Sequence, residues 1–226
     1  MTDERASRAR LRQPFKEPDD TTRAALEARN GLRQFDRLVE LIDVGVAARR
    51  FRMRPSQVLE LNRFAVDGLV AAPGAFRQDE IEISNTEHRP PAAVLVPELV
   101  DEMCDYVNDS WEDATALTLS AYVMWRVNWI HPFADGNGRT SRALSYLVLC
   151  VRTGYRLPGS PTIPERIASD KFPYYHALDA ADMAWKSGTV DVSAMEALLG
   201  DHLAAQLVAV FEAAGGRPDD PTNPRG

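Results

Sequence analysis

The sequence of 226 residues predicts a mainly α-helical bundle that carries one short β-hairpin. In most segments, apolar side chains recur at the spacing of one helix face. The alternation typical of strands is confined to residues 75–83, and no internal repeat is visible. Hydrophobic residues make up 45% of the chain, which is enough for a sizeable core. These observations favour one large helical domain with extensions at its ends.

The boundaries of the predicted helices follow from their start and stop signals. N-cap candidates at Asp19 to Thr22 open the first helix, and Gly31 is placed to end it. Pro55 precedes the third helix, and Gly154 is a typical residue to end the sixth. The predicted ranges are 21–30, 35–49, 56–69, 96–108, 114–130, 139–154, 162–169, 174–187 and 193–214.

The segment 114–130 predicts a helix at the centre of the fold. It contains neither glycine nor proline and is apolar on nearly all sides, which is typical of a buried helix. Pro132 disfavours helical geometry at His131, so the helix should end there. The His131 side chain can then face a cleft. A neutral imidazole is the side chain best suited to accept a proton near neutral pH.

The run HPFADGNGRTSR at residues 131–142 continues with a turn suited to bind anions. Glycines at both ends of Gly136-Asn137-Gly138 allow positive φ, and successive N–H groups in such a turn can converge on an anion. The next helix begins directly after this turn. Its dipole and unpaired N–H groups favour phosphate at the same place.

Three charged side chains complete the run. Arg139 and Arg142 lie three residues apart in the first helical turn, so both guanidinium groups can reach one polyphosphate. Two arginines at the positive end of a helix are unfavourable without an anion. Asp135 is the one carboxylate of the run, and Mg²⁺ on a nucleotide is typically held by one or two carboxylates and phosphate oxygens. The run therefore predicts a site for a nucleotide with Mg²⁺.

This run resembles the signature of the Fic-domain family, HPFx(D/E)GNGRxxR, and matches it at every fixed position. The resemblance implies a Fic-type helical bundle with a β-hairpin flap. It also implies transfer of AMP from ATP to a Ser, Thr or Tyr hydroxyl of a target protein, with release of pyrophosphate. The implied roles are general base for His131, Mg²⁺ ligand for Asp135, anion hole for Gly136, Asn137 and Gly138, and phosphate binding for Arg139 and Arg142.

Residues 75–83 are predicted as two short strands around a polar turn, because Ile81 and Ile83 alternate with Glu82. The resemblance implies that this hairpin is the flap, which pairs with an extended segment of the target. Pairing through the main chain tolerates many target sequences. An ordinary surface hairpin is the alternative. The predicted docking residues are Phe76, Arg77, Ile81, Glu82 and Ile83.

Three parts are predicted along the chain: an N-terminal extension at 1–35, the Fic domain at 36–210 and a disordered tail at 215–226. Many members of the family are inhibited by a glutamate in an (S/T)xxxE(G/N) segment. In the N-terminal helix Glu27 follows an apolar residue. The motif is incomplete there, because Arg23 replaces the Ser or Thr and Ala28 replaces the Gly or Asn. We predict Glu27 as an inhibitory partner of Arg142. A surface pair of Arg23 and Glu27 is the alternative.

Composition excludes several other classes of protein. The net charge of −7 and the pI near 5.2 argue against binding to nucleic acid or to anionic membranes. No signal peptide and no segment able to span a bilayer are expected. Cys104 and Cys150 lie in apolar helical context and are predicted to be reduced and buried. The predicted location is therefore cytoplasmic, and the family often forms homodimers.

Alternatives to AMP transfer remain at this point. The run does not specify the nucleotide base or the phosphate that faces the attacking hydroxyl. Transfer of UMP or phosphate and removal of AMP from a modified target are therefore alternatives within the same chemistry. A catalytically silent adaptor that binds nucleotide is the alternative from another class. The target protein cannot be read from a docking segment that pairs through its main chain.

Overall fold

The computed structural model of the protein describes residues 7–9, 15–48 and 50–216, and it confirms the mainly α-helical fold. Within these ranges the chain forms eight α-helices and one two-stranded antiparallel sheet. The strands are β1 (Ser7–Ala9) and β2 (Ile81–Ile83). The helices are α1 (Asp20–Ala47), α2 (Pro55–Val66), α3 (Val96–Asp109), α4 (Ala116–Ile130), α5 (Asn137–Thr153), α6 (Ile163–Ser169), α7 (Phe172–Lys186) and α8 (Ser193–Ala213).

The centre of the fold is the pair of helices α4 and α5. Helix α4 is buried on nearly all sides, as its composition predicts, and α5 is buried from Ala143 to Val151. Helices α1 and α2 pack on α5, while α3, α7 and α8 pack on α4. The run 131–142 connects the two central helices, so the surrounding helices hold it in place from several sides.

Helix α1 differs from the prediction, because it continues through Gly31 as one helix of 28 residues. The predicted end at Gly31 is therefore wrong. Glycine in a helix interior costs about 1 kcal/mol relative to alanine. Tertiary contacts around it offset this cost. The buried side chains of Asn30 and Gln34 donate to the backbone carbonyls of Asp67 (2.8 Å) and Leu61 (3.0 Å).

The other predicted helices are confirmed with shifted ends. Asp19 caps α1 as predicted, and its side chain accepts a hydrogen bond from the Thr22 N–H at 2.8 Å. Gly154 ends α5 in the left-handed conformation expected of a helix cap. The predicted domain boundary at residue 35 falls inside α1, so no break in structure marks it. From residue 217 on, the predicted tail lies outside the described residues.

The hairpin predicted at residues 75–83 is wrong in its pairing. Only Ile81–Ile83 forms a strand, and it pairs with Ser7–Ala9, with Glu82 opposite Arg8. Residues 75–80 are not a strand. The Phe76 ring packs against Phe133, and the Arg77 guanidinium reaches the end of α4. Both side chains are drawn inward, which is incompatible with the first arm of a surface hairpin.

Helix α8 is the one described helix with the length and apolar composition of a membrane-crossing segment. From the sequence, no segment able to span a bilayer is predicted. In the structure α8 packs against α4, α6 and α7 through residues that include Met195, Leu199 and Gln206. Membrane spans and apolar helices that pack on protein share this composition, so the expectation that the protein does not bind a membrane stays a prediction.

Candidate active site

His131 stands at the C-terminal end of α4 in a left-handed conformation, with φ of 50°. Its backbone N–H still bonds to the Val127 carbonyl at 2.9 Å, so it closes the last helical turn. On the side chain, Nδ1 lies 3.1 Å from the Asn128 carbonyl oxygen. Because a carbonyl only accepts, Nδ1 carries the proton of the neutral ring. Nε2 is then the nitrogen with a lone pair for a substrate proton.

Burial keeps the His131 ring neutral. The side chain is 8% exposed, and its desolvation lowers the pKa from the ordinary value near 6.5 to about 3. The hydrogen bond to Asn128 opposes this shift, and the neighbouring His88 and Arg77 add to it. The imidazole is therefore in its proton-accepting form throughout the physiological pH range.

This burial predicts acid sensitivity of the fold. The pKa of His131 is lower in the folded than in the unfolded state, so the unfolded chain binds the proton first as the pH falls below about 6.5. Stability is therefore lost as the pH falls from about 6.5 toward the folded value. At pH 5 the loss from this one group amounts to about 2 kcal/mol.

Denaturant unfolding at pH 8 and pH 5 measures this effect. In His131→Asn the decrease in unfolding free energy between the two pH values should be smaller than in wild type by about that amount. His176→Asn is a matched control, because His176 is exposed on α7. If both variants lose as much stability as wild type, His131 does not carry a lowered pKa in the folded protein.

The loop after His131 is held by its own side chains. Asn137 is 2% exposed. Its Oδ1 accepts from the Phe133 N–H (2.9 Å), and its Nδ2 donates to the Phe133 carbonyl (2.9 Å). The Phe133 ring is buried in the core and contacts Phe76. The Asn137 side chain thus fixes the loop, and only its backbone N–H remains to serve the predicted anion hole.

Gly136 allows the sharp entry into α5. It has φ of 80°, and a Cβ there would lie 2.5 Å from Val66 Cγ1 and 3.0 Å from Asn62 Nδ2. Asn62, in α2, donates to the Asp135 carbonyl (2.9 Å) and to Thr140 Oγ1 (3.3 Å). Helix α2 therefore presses directly on the turn, and this close approach requires glycine.

The N-terminus of α5 has the geometry of an anion site. No side chain within the described ranges caps this end, and the first intrahelical bond runs from the Thr140 N–H to the Gly136 carbonyl. The N–H groups of Asn137, Gly138 and Arg139 precede that bond and lack an intrahelical acceptor. With the helix dipole they favour an anion at this point.

The three charged residues of the run take different positions. Arg139 turns toward α2 and donates to the Ala65 carbonyl (2.9 Å) and to Asp135 Oδ1 (3.2 Å). Asp135 Oδ1 also accepts from the Gly136 N–H. Arg142 lies over the turn, because a Cβ on Gly138 would come within 3.3 Å of its Nη1. Arg142 is therefore the arginine nearest the predicted phosphate site, while Arg139 holds the loop to α2.

The predicted docking residues do not form one surface. Ile81 is buried, Glu82 is exposed and Ile83 is half-buried, as a strand with one covered face requires. Phe76 is half-buried against Phe133. Arg77 is 5% exposed, so its side chain is not at the surface of this structure, and its contact with a target stays a prediction. Its guanidinium group instead lies beneath residues 75–83 and donates to backbone carbonyl oxygens.

Glu27 is exposed on α1. Its neighbour Leu26 is the residue that packs against the small cluster of Ala65, Val66 and Leu69. Helical geometry turns adjacent residues by about 100°, so Leu26 and Glu27 cannot both face α2. The inhibitory contact of Glu27 with Arg142 and the regulatory role of Glu27 stay predictions.

Comparison with known proteins identifies the domain. The model of the Fic/DOC family matches residues 52–149, a range that contains the run and the segment before it. Residues 52–149 of this chain are a Fic domain. A protein adenylyltransferase Fic from Drosophila willistoni is 27% identical over 173 residues, covering 71% of this chain and 33% of that protein. One from Nematostella vectensis is 31% identical over 115 residues, covering 48% of this chain and 24% of the relative.

Solved structures share the fold of this Fic-domain protein. Fic-1 (residues 134–508) from C. elegans superimposes with a TM-score of 0.66 at 19% identity, over 88% of this chain and 55% of that one. A Fic-domain-containing signaling protein from Bacteroides thetaiotaomicron gives 0.68 at 21% identity, over 85% and 75%. The chain spans about a third of the length of the curated Drosophila relatives.

Three residues that support the site of the Fic domain are not predicted from the sequence. Asn62 donates a hydrogen bond to the Asp135 carbonyl and Arg77 donates one to the His131 carbonyl, although both donors are far from these residues in sequence. His88 lies beside the end of α4, with Nε2 at 2.8 Å from the Trp129 carbonyl and Nδ1 at 3.3 Å from Asp182 Oδ2. Burial raises the pKa of Asp182. No local pattern marks these residues, because their partners are distant in the chain.

Proposed function

We propose that this Fic-domain protein is a protein adenylyltransferase, which transfers AMP from ATP to a Ser, Thr or Tyr hydroxyl of a target protein. One observation carries the proposal. A buried, neutral His131, whose proton is on Nδ1, lies in the same run as the N-terminus of α5, where no described side chain caps the helix. The names of the curated relatives support the same activity.

The reaction follows from these two features. His131 Nε2 takes the proton of the target hydroxyl as its oxygen attacks the α-phosphorus of ATP. A new oxygen–phosphorus bond forms, the bond between the α-phosphorus and the bridging oxygen breaks, and pyrophosphate leaves. The N–H groups at the start of α5 and the Arg142 guanidinium stabilise the negative charge on the phosphates. The protein supplies position and electrostatics, and no covalent intermediate is needed.

Asp135 is the proposed ligand of Mg²⁺. Its side chain is 32% exposed, and the contacts to Gly136 and Arg139 are made by Oδ1, which leaves Oδ2 for a cation. The described residues contain no cluster of three or more His, Cys, Asp or Glu side chains for a metal. A single carboxylate suits Mg²⁺ that is bound together with a polyphosphate. When bound, the ion would neutralise part of the phosphate charge.

The target protein, the cellular location and the oligomeric state are also proposals. The target is a protein with an exposed hydroxyl residue, docked as an extended segment near Ile81–Ile83. We propose a cytoplasmic protein that binds neither nucleic acid nor membranes and that forms homodimers. Glu27 is proposed to inhibit only in a conformation in which it reaches Arg142.

Intact-mass spectrometry after incubation with ATP and Mg²⁺ tests the proposal. We expect wild type to gain the mass of one or more AMP groups by automodification and to lose this gain when EDTA removes the metal. A gain of phosphate mass, or of UMP mass with UTP, would contradict AMP transfer in favour of the related chemistries. Release of AMP from a modified target would indicate the reverse reaction, and ATP binding without any adduct would indicate a silent adaptor.

The same experiment includes Glu27→Gly. If Glu27 inhibits, this variant should gain AMP faster than wild type, and Glu17→Gly should match wild type. Glu17 is a suitable control because it is exposed and precedes the same helix. Equal rates in all three proteins would show that Glu27 does not regulate the site.

A further inference from the structure

Arg77 is the most extensively bonded buried charge near the active site. Its side chain is fully covered, although the segment around it is at the surface. The nearest carboxylate oxygen, on the exposed side chain of Glu80, is 3.9 Å away. Charged side chains are almost never fully buried without a partner. The partners of Arg77 are carbonyl oxygens.

The carbonyl oxygens come from two places. At the end of α4, Arg77 Nε donates to the His131 carbonyl (2.8 Å), and Nη2 lies 3.4 Å from the Ile130 carbonyl. The Arg77 backbone N–H donates to the Pro132 carbonyl (2.9 Å). Arg77 therefore contacts three successive peptide groups around His131.

The remaining bonds tie the docking segment to the same point. Nη1 donates to the Asp79 carbonyl (3.2 Å), and Nη2 donates to the Pro91 carbonyl. Asp79 precedes Ile81–Ile83 and Pro91 follows it, so one guanidinium joins both ends of the segment to the end of α4. The five donors of arginine in a fixed plane make this arrangement accessible to no other side chain.

The end of α4 needs such a partner for physical reasons. The last carbonyls of a helix have no intrahelical donor and carry its partial negative charge. Pro132 has no N–H with which to extend the helix. His131 adopts φ of 50°, a conformation that is unfavourable for a residue with a side chain. Without bonds to these carbonyls, the peptide planes that orient the imidazole would be free to relax.

We propose that Arg77 is a positioning residue, which orients His131 toward the target hydroxyl and joins the base to the segment that docks the target. The inference rests on the proposed function for its catalytic consequence. The orientation of the ring is a separate consequence and can be measured without catalysis.

Arg77→Lys tests the proposal, because lysine keeps the charge and loses the fixed plane of donors. We expect kcat for AMP transfer to fall about 10- to 100-fold, since small misplacement of a catalytic group has effects of this size. The Kd for ATP should stay within about twofold, because Arg77 does not contact the proposed phosphate site. Arg166→Lys is the matched control. Arg166, on α6, also bonds to carbonyl oxygens, but those of Pro161 before α6 and of Ala205 on α8.

A second readout is the tautomer of His131, from long-range ¹H–¹⁵N correlation spectra of ¹⁵N-histidine-labelled protein. Wild type and Arg166→Lys should show the proton on Nδ1, and Arg77→Lys should show a mixture of tautomers. An Arg77→Lys protein with unchanged kcat and an unchanged tautomer would overturn the proposal. A fall in kcat that only follows lost stability, with the tautomer unchanged, would also overturn it.

Two outcomes leave the kcat comparison without a result, and each has its own readout. If wild type transfers no nucleotide, the proposed function fails, while the tautomer of Arg77→Lys still decides the positioning role. If Arg77→Lys does not fold, the scalar coupling across the hydrogen bond from Arg77 Nε to the His131 carbonyl is measured in wild type. Detection of this coupling supports the proposal, and its absence contradicts it.

Discussion

Replacing His131 with asparagine is expected to lower kcat for AMP transfer about 10²- to 10⁴-fold, which is the range for loss of a general base. Asparagine tolerates positive φ better than most residues, so the backbone at φ of 50° should persist. Its amide has no basic nitrogen to accept the proton of the target hydroxyl. The effect should therefore fall on the chemical step.

Binding of ATP separates this explanation from a damaged site. The phosphates are proposed to bind at the N-terminus of α5 and at Arg142, so the Kd for ATP should change by less than about threefold in His131→Asn. Calorimetric titration measures it, and automodification followed by mass gives the rate. His176→Asn, on the exposed side of α7, should resemble wild type in both. A rate in His131→Asn within tenfold of wild type would exclude the ring as the base.

The sequence predicts the backbone of this site well because the relevant residues are contiguous. The proline after His131 and the glycines at 136 and 138 determine the local backbone, so the helix end and the turn follow from twelve residues. The structure places both where they were predicted. The central position of α4 also follows from local information, because a helix that is apolar on all sides must be buried.

The supports of the site could not be predicted in the same way. Arg77 lies in a polar stretch that resembles a surface strand, and its acceptors at the end of α4 begin 53 residues later in the chain. Asn62 is separated from the Asp135 carbonyl by 73 residues. Neither bond leaves a periodic pattern. The inward turn of Arg77 also explains the failed hairpin, because the segment is bonded to α4 instead of to itself.

Gly31 shows a second limit of prediction from the sequence, which concerns where a helix ends. Local propensity favours a helix end at glycine, yet α1 continues because its buried Asn30 and Gln34 bond to α2 on either side of that position. The packing partner decides whether a weak stop signal ends a helix. The prediction placed Glu27 on a separate short helix, whereas Glu27 lies within the 28 residues of α1.

Gly136→Ala is expected to lower the unfolding free energy by about 2–5 kcal/mol and to weaken ATP binding. Two costs add in this variant. A residue with Cβ at φ of 80° costs about 1–2 kcal/mol. The added methyl also meets Val66 Cγ1 at 2.5 Å and Asn62 Nδ2 at 3.0 Å, and overpacking of this kind costs about 1–3 kcal/mol.

The neighbours of Gly136 have little room to move. Val66 and Asn62 are both buried, and Asn62 is bonded to the Asp135 carbonyl, to Thr140 and to the Gly74 N–H. The turn must therefore shift instead, and the N–H groups at the start of α5 move with it. ATP affinity should fall for this reason even under conditions where the variant is folded.

Gly154→Ala is the matched control for the backbone cost. Gly154 has φ of 85° at the other end of α5, but a Cβ there would meet nothing within 4 Å. It should lose about 1–2 kcal/mol and keep wild-type affinity for ATP. The additional loss in Gly136→Ala then measures the clash with α2, and Val66→Ala in the Gly136→Ala background should recover part of the ATP affinity. Equal stability and equal ATP affinity in the two single variants would show that α2 does not constrain the turn.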